Sequence, residues 1–554
     1  MNTFRLLLLT LFVAAMPIMG FAYTGGQIVT FNQLWYKVLS PTSHTLAFIG
    51  TNGFPSGPLT LPNSVFDGKD ATFTITELQY EPGYACYGVT ELTIPETVKT
   101  IGAFSVLWAP LIKVHIPQSV TNISESAFCC LNKAPKFTVA SGSLHFEAGS
   151  DGALYSKGKT KLYSVPSDVQ LAAGGVYNVD NNVKRICIGA FLKTNGLKKV
   201  VLPNGLQSID MGMFTIAPTS SLEAFEVRPG GSTPFSAVDG VLFKGDELVL
   251  YPQGKSTQNY VVPNGIKKLA TYSISDNGHL RSIDLNQVTT LRNSAIYNAL
   301  ELTSITIPKD IKKYGKVPGQ GLMEGCFESC PKVSTYYVAS GNTDFVIENG
   351  VLFSADKTLL YCYPPSKPGS SYAIPNSVTQ IGNNAFQNAQ FITSIHIPQN
   401  VIVIGSSAFR QLSNLSTLTF DANSKVNYIS DLAFRGCSKL NVVTLPKGIT
   451  SLGAVFYECE NLEVINVPAN SKLTTIRSGA FSTNRKLKAF NFMGECQLNR
   501  IGANVFAGLK ELTAFSIPKS VAYIDANAFI GCKNLTTVTF DPNAVIQKIG
   551  EGAF

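Results

Sequence analysis

One phrase recurs along this chain to its last residue: an apolar strand that ends in Pro, then Val, then Ile-Gly, then Ala-Phe. It reads Ile374-Pro375…Val378…Ile381-Gly382…Ala385-Phe386, then Ile397-Pro398…Val401…Ile404-Gly405…Ala408-Phe409, and later Ile517-Pro518…Val521…Ile524…Ala528-Phe529. The closing phenylalanines fall at 386, 409, 434, 456, 481, 506, 529 and 554, in steps of 23, 25, 22, 25, 25, 23 and 25 residues. Recurrence on that scale is the signature of a solenoid. A unit so short cannot bury its own apolar face, so neighbours must stack and share one core. The chemistry of such a molecule is surface chemistry.

Each unit can be read physically. In Leu415-Ser416-Thr417-Leu418-Thr419-Phe420 the apolar positions alternate with Ser and Thr, the period-2 pattern of a strand with one buried face. Pro308, Pro398, Pro446, Pro468 and Pro518 end their strands, because proline has no N–H to donate to a continuing ladder. Val and Ile, three and six residues after that proline, return the chain to the core. Gly382, Gly405 and Gly502 are expected to supply a positive-φ turn. Ala-Phe then forms a tight or short helical turn whose ring fills the coil interior. Asp421-Ala422-Asn423-Ser424 and Asp541-Pro542-Asn543 read as turn formers in the longer coils rather than as calcium ligands, since too few carboxylates accompany them.

Three islands interrupt the phrase at Asp151-Gly152, Asp239-Gly240 and Asn349-Gly350, each between apolar runs, which is a hairpin signal. They predict hairpin insertions near 141–163, 228–252 and 338–363. The glycines lie 88 and 110 residues apart; the difference, 22, is one coil, so a block of several coils reads as duplicated. Residues 23–85 are expected to form an N-terminal β cap with a degenerate first coil at Leu59-Thr60-Leu61-Pro62, and 86–554 the solenoid. Ahead of them Arg5, the apolar run Leu6–Ala15 and Gly20-Phe21-Ala22 read as a signal peptide over 1–22. That apolar run is shorter than a membrane span, and none of the later segments is long enough to be one. The last residue, Phe554, directly follows an Ala, with no capping element after it, so we expect a fragment or a missing attachment segment.

Only 14% of the residues are charged and the net charge of +8 is dispersed. Without a basic stripe interleaved with aromatics, nucleic acid is not an expected partner. Eleven cysteines suggest a disulfide framework in an exported chain. Yet Cys330, Cys437, Cys459 and Cys532 occupy the slot three residues after the closing Phe, filled elsewhere by Leu412, Ala389 and Leu509. A slot shared by Cys, Leu and Ala is a packing position, so buried thiols are expected; Cys129-Cys130 and the odd total leave bridging open. The five histidines are scattered and no Cys-x-x-Cys occurs, so no metal site and no cofactor is expected.

Leu302-Thr303-Ser304-Ile305-Thr306-Ile307-Pro308, the block from Val378 to Phe386, and Phe529-Ile530-Gly531-Cys532-Lys533-Asn534-Leu535 closely resemble the BspA-like class of leucine-rich repeats. The resemblance covers nearly everything after the first 22 residues. It implies a β-rich solenoid with a parallel sheet on its concave side. It also implies a bacterial protein that is exported to the cell surface or outer membrane or secreted, with adhesion to host matrix protein, another cell or a glycan as its role. The stretch from Lys313 to Gly321 departs from the pattern by lengthening one coil.

If the Leu and Ile positions of each strand face inward, the residue between the last two faces the open sheet. That column is His396, Thr419, Thr444, Asn466, Asn491, Ser516 and Thr539, all small, polar or imidazole. Strands stack about 4.8 Å apart, so these groups form either a binding rail for an extended peptide or glycan or a ladder that bonds only to itself. A second candidate is the set of hairpin aromatics Tyr155, Tyr163, Phe243, Tyr251, Tyr361 and Tyr363, of which alternation turns about half toward the solenoid. Catalysis is not expected: His115 and His396 lie far apart, and no nucleophile, paired-carboxylate or phosphate-loop motif is present. A scaffold that assembles with copies of itself stays open as the alternative.

Overall fold

The computed structural model describes residues 23–52, 56–69, 71–210, 221–312 and 325–554. The signal peptide read over 1–22 and the long coil from Lys313 lie outside them. The contacts divide the chain into two compact units, one within Met1–Leu171, Val179–Asn195 and Gly205–Thr219, the other within Ala172–Asn178, Gly196–Asn204 and Ser220–Phe554.

Both units are β-solenoids built from parallel ladders of short strands. In the second, the strand that carries the Thr/Ile alternation pairs coil to coil, as in Asn259–Val261, Ser282–Asp284, Ser304–Ile307 and Thr335–Val338. A two-residue return strand makes another ladder, as in Ser451–Leu452, Thr475–Ile476, Arg500–Ile501, Tyr523–Ile524 and Lys548–Ile549. In the first unit the corresponding ladders run through Gly57–Thr60, Val89–Thr93, Lys113–Ile116 and Lys136–Val139, and through Thr72–Leu78, Thr100–Ile101 and Asn122–Ile123. Its chain opens on an antiparallel pair, Ile28–Phe31 with Leu34–Ser40, turned at Asn32 and Gln33, both with positive φ as the tight hairpin turn demands.

Three antiparallel meanders punctuate the coils. Phe146–Ala148, Leu154–Ser156 and Lys161–Ser164 form one, in the first unit. Phe235–Val238, Val241–Lys244 and Glu247–Leu250 form another, and Phe345–Glu348, Val351–Ser354 and Leu359–Cys362 a third, both in the second unit. In each, the third strand continues as a rung of a parallel ladder: Lys161–Ser164 pairs with Arg185–Ile186, and Leu359–Cys362 with Gln380–Ile381. The meander is therefore woven into the coil stack.

Among the described residues helix is almost absent, a short 3-10 turn at Lys157–Lys159 apart. The Ala-Phe segment is a pair of hydrogen-bonded turns, Ala385 N–H to the Gly382 carbonyl at 3.3 Å and Ala389 N–H to that of Phe386 at 3.0 Å. Two left-handed residues four apart, Asn384 and Asn388, stop it from winding into helix. Ser407/Gln411, Asn504/Gly508 and Asn527/Gly531 repeat that pair. The expected positive φ at Gly382, Gly405 and Gly502 is thus corrected: it falls two residues later. Gly405 and Gly502 serve close approach instead, because a Cβ on Gly405 would lie 2.7 Å from the Asn383 nitrogen and one on Gly502 2.7 Å from that of Ser478.

The core is one apolar cluster per run of coils. Phe386, Phe409, Phe434, Phe456, Phe481 and Phe506 are fully buried in the second unit's larger cluster. The rings at 386, 409 and 434 stack at centroid distances of 5.0 and 4.8 Å, with planes 19° and 6° apart. All eleven thiols are unbridged. In the slot after the plug they do more than fill space: Cys437 Sγ donates to the Phe409 carbonyl at 3.2 Å, Cys459 Sγ to that of Phe434 at 3.1 Å, and Cys532 Sγ to that of Phe506 at 3.0 Å. Asn484 uses the same slot and donates to the Phe456 carbonyl at 2.8 Å. Each satisfies a buried carbonyl of the preceding coil.

Candidate functional site

The column read from alternation lies on the solvent face of the second unit. His396, Thr419, Thr444, Asn491, Ser516 and Thr539 are exposed and Asn466 is half-buried. Their strand neighbours Ile395, Leu418, Val443, Ile465, Phe490 and Phe515 turn inward and are buried. The cause is the pleat: with period 2, once Leu418 is committed to the core, Thr419 must face out.

The side chains bond along the column. His396 Nδ1 and Thr419 Oγ1 are 3.0 Å apart, Asn466 Nδ2 donates to Thr444 Oγ1 at 3.3 Å, Asn491 Nδ2 to Asn466 Oδ1 at 3.0 Å, and Thr539 Oγ1 to Ser516 Oγ at 3.0 Å. The column is not one continuous rail. The backbone ladder is divided into Ser371–Ala373 with Ser394–Ile397 and Thr417–Phe420, then Val442–Thr444 with Val464–Val467 and Ala489–Phe492, then Ala514–Ile517 with Thr537–Phe540. Every one of the four side-chain bonds stays inside a segment.

A groove of about 510 Å³ opens at the first division, between Thr417–Phe420 and Val442–Thr444, with Asp421, Pro446 and Lys447 at its end. The return ladder also stops there, between Tyr428–Ile429 and Ser451–Leu452. The turn side stays joined through Leu432 N–H to the Ala454 carbonyl, 3.0 Å, and Phe434 N–H to that of Val455, 3.0 Å. The division coincides with the change from a 25-residue coil to one of 22. A second groove of about 530 Å³ adjoins the other division, lined by Phe492, Glu495, Ser516, Ile517, Lys519 and Thr539.

Charge is handled elsewhere on the coils. Arg500 grips Asp525 with two bonds, 2.8 and 2.9 Å, Arg435 grips Glu458 at 2.9 and 3.2 Å, and Arg477 reaches Asp431. These ladders of opposite charge lie outside the strand column.

The second candidate set is corrected. Tyr155, Tyr163, Phe243, Tyr251, Tyr361 and Tyr363 are all buried, none more than 8% exposed. The strands that carry or lead into these rings are inner rungs of the stack and are covered on both faces at the rings, whereas the outer strand Phe235–Val238 leaves Ser236 and Val238 exposed. Burial pushes the Tyr163 and Tyr251 phenols up to about 12. Sequence reading also missed an equivalent column in the first unit, where His115 Nδ1 lies 2.9 Å from Thr138 Oγ1. The same offset from the strand's apolar residues marks it: Val114 and Phe137 are buried beside them. The grooves had no local signal, since they arise from where ladders stop. Among the described residues no group of His, Cys, Asp and Glu is placed to hold a metal ion, and no helix is long and apolar enough to cross a membrane.

Short parallel rungs, an Ala-Phe turn and an apolar shared core define a leucine-rich repeat solenoid. The model of the BspA type leucine rich repeat region matches residues 69–170, 176–229, 253–349, 361–488 and 453–554, and the chain belongs to that family. Among solved structures, it is similar to a leucine rich cell surface protein from Faecalibacterium prausnitzii: 19% identity, 85% of this chain and 96% of that one covered, TM-score 0.38. A leucine-rich repeat protein from Eubacterium ventriosum gives 16% identity over 90% and 93% of the two chains, TM-score 0.40. The pneumococcal vaccine antigen PcpA gives 17% over 94% and 100%, TM-score 0.31. No curated protein matches the chain in sequence.

Proposed function

We propose that this is an exported binding protein of the bacterial surface that captures an extended protein or glycan ligand on the column His396, Thr419, Thr444, Asn466, Asn491, Ser516 and Thr539. The observation that carries the reading is that these seven side chains, none of them a carboxylate or an amine, line the solvent face of successive strands. Repeated donors and acceptors at strand spacing suit a ligand that is itself repetitive. The signal peptide over 1–22, the cap over 23–85 and the coils over 86–554 belong to the same proposal, as does the absence of catalysis. Membership of a family of repeat scaffolds supports a binding role, since such folds carry function on their faces.

The test is capture of immobilised matrix proteins and glycans by the mature chain. Thr419→Glu, Thr444→Lys and Asn466→Glu together are expected to abolish capture while circular dichroism stays unchanged, because all three side chains point away from the core. Capture that persists would reduce the column to a self-bonded ladder. Light scattering addresses the alternative: a mass that grows with concentration favours a self-assembling scaffold.

A further inference from the structure

The strand column is uncharged, but its borders are not. Lys425, Lys447 and Lys472 follow three successive strands at their trailing edge, and Lys439, Arg485 and Lys486 precede strands at the leading edge. All six are exposed and none is ion-paired among the described residues. Lys425, Lys439 and Lys486 are held by neutral amides instead, at 2.9, 2.7 and 2.7 Å from the Oδ1 atoms of Asn400, Asn414 and Asn461. The carboxylates that could neutralise them are spent elsewhere. Glu463 pairs with Lys488 and Glu495 with Lys519, while Asp431, Glu458 and Asp525 pair with arginines outside the column. Only Asp421 and Glu460 remain along these borders, so six unpaired cations face two carboxylates, an excess of four in a protein whose whole excess is eight. The groove of about 510 Å³ opens between these borders, with Lys447 at its end.

We propose that this trough binds an acidic glycan, a linear polysaccharide bearing sulfate or carboxylate groups. The inference rests on the reading of the column as a binding surface and adds the partner's charge and class. Two lines of chemistry favour a glycan over an acidic peptide. The floor offers hydroxyls and amides, Thr419, Thr444, Asn466 and Asn491, which suit a hydroxyl-rich ligand. The trailing lysines recur once per coil, a step of about 4.8 Å where the strands pair, close to the length of one sugar ring, and a wider step where the groove parts Thr417–Phe420 from Val442–Thr444. An extended peptide places same-side groups about 6.6 Å apart and falls out of step with that comb. Lysine acts here as a compact point charge, matched to anions that present no fixed fork.

The experiment uses the mature chain with four probes: a heparin oligosaccharide, hyaluronan, neutral dextran and poly-glutamate, each titrated at low and at near-physiological ionic strength. Heparin or hyaluronan is expected to bind with an affinity that falls as salt rises, and dextran is not. Lys425→Gln, Lys447→Gln and Lys472→Gln together should weaken binding about tenfold or more at low salt and flatten the salt dependence. A control that removes the same charge elsewhere, Lys69→Gln, Lys184→Gln and Lys244→Gln, should change it less than about twofold. An equal loss in the control, or poly-glutamate binding as tightly as the glycans, overturns the proposal. If no polyanion binds while matrix protein or neutral glycan is still captured through Thr419, Thr444 and Asn466, the acidic partner falls and the column stands. If nothing is captured at all, both fall.

Discussion

Two stretches of the second unit, 259–312 with 325–338 and 374–554, share a backbone and differ in what fills it. In the later stretch the turn side of each coil is plugged by a phenylalanine, and rings stack from Phe386 to Phe434 and from Phe506 to Phe554. In the earlier stretch the same slot holds Ile274, Ile296 and Phe327, and these segments form a parallel ladder, Ile274–Ser275 with Ile296–Tyr297 and Phe327–Glu328. The flanking left-handed pair is kept in both: Tyr272/Asp276, Ser294/Asn298 and Gly325/Ser329 there, Asn384/Asn388 and Asn504/Gly508 here. So are the coil-to-coil bonds, Ile274 N–H to the Ala295 carbonyl at 3.0 Å against Phe386 N–H to that of Ala408 at 2.6 Å. The turn is thus framed by left-handed residues, a pair in most coils and a single one beside Phe456 (Glu458) and Phe481 (Gly479), together with cross-coil hydrogen bonds; the aromatic ring is an occupant of that frame, not its cause.

The largest way to break the comparison is to empty the plug. Phe434→Ala removes a fully buried ring from between Phe409 and Phe456 and is expected to cost about 3–5 kcal/mol, whereas Ile296→Val should cost about 0.5–1.5. Urea denaturation followed by circular dichroism reads both. Equal losses would mean that the ring does not carry the later stretch.

Glycine gives the next contrast. Gly405→Ala would press a Cβ against the backbone of the preceding coil and should fall near the top of the ~1–3 kcal/mol range of overpacking. Gly508→Ala meets nothing within 4 Å but stands at φ +73, so its cost of about 1 kcal/mol is conformational alone. If Gly508→Ala proves the worse of the two, close approach is not what Gly405 serves.

The smallest effect comes from pH. Phenylalanine plugs cannot titrate, but the buried tyrosines of the meanders can. The Tyr163 and Tyr251 phenols are raised by burial from 10.0 to about 12. The unfolded chain therefore loses these protons first, so the contribution of each ring is complete below pH 10 and declines as pH rises toward 12. Tyr251→Phe should flatten that decline in a stability-against-pH profile, and an unchanged slope would place the titrating groups elsewhere.

Much of this was legible beforehand. The 22–25-residue recurrence of Phe required stacked coils, and alternation in Leu418-Thr419-Phe420 put Thr419 outside, because a strand's two faces are a property of local geometry. The Cys slot was legible for the same reason: its position relative to Phe434 and Phe456 repeats, and only a packing role accommodates Leu412 there as well. The exposed aromatics were misread because Asp-Gly marks a hairpin without saying what lies over it, and Tyr251 and Tyr361 are covered by neighbouring coils. Gly405 was misread because a glycine needed for close approach and one needed for positive φ look alike in sequence.

What the sequence determined alone was periodic: coil length, strand faces, the plug slot and the turn, each set by residues within one unit. Where the ladders stop, and so where a groove opens between Thr419 and Thr444, was decided only by the stacked coils. So was which carboxylates were consumed by arginines one or two coils away, leaving Lys425, Lys447 and Lys472 unpaired. Both depend on contacts between residues more than 20 positions apart, whose geometry no single repeat contains.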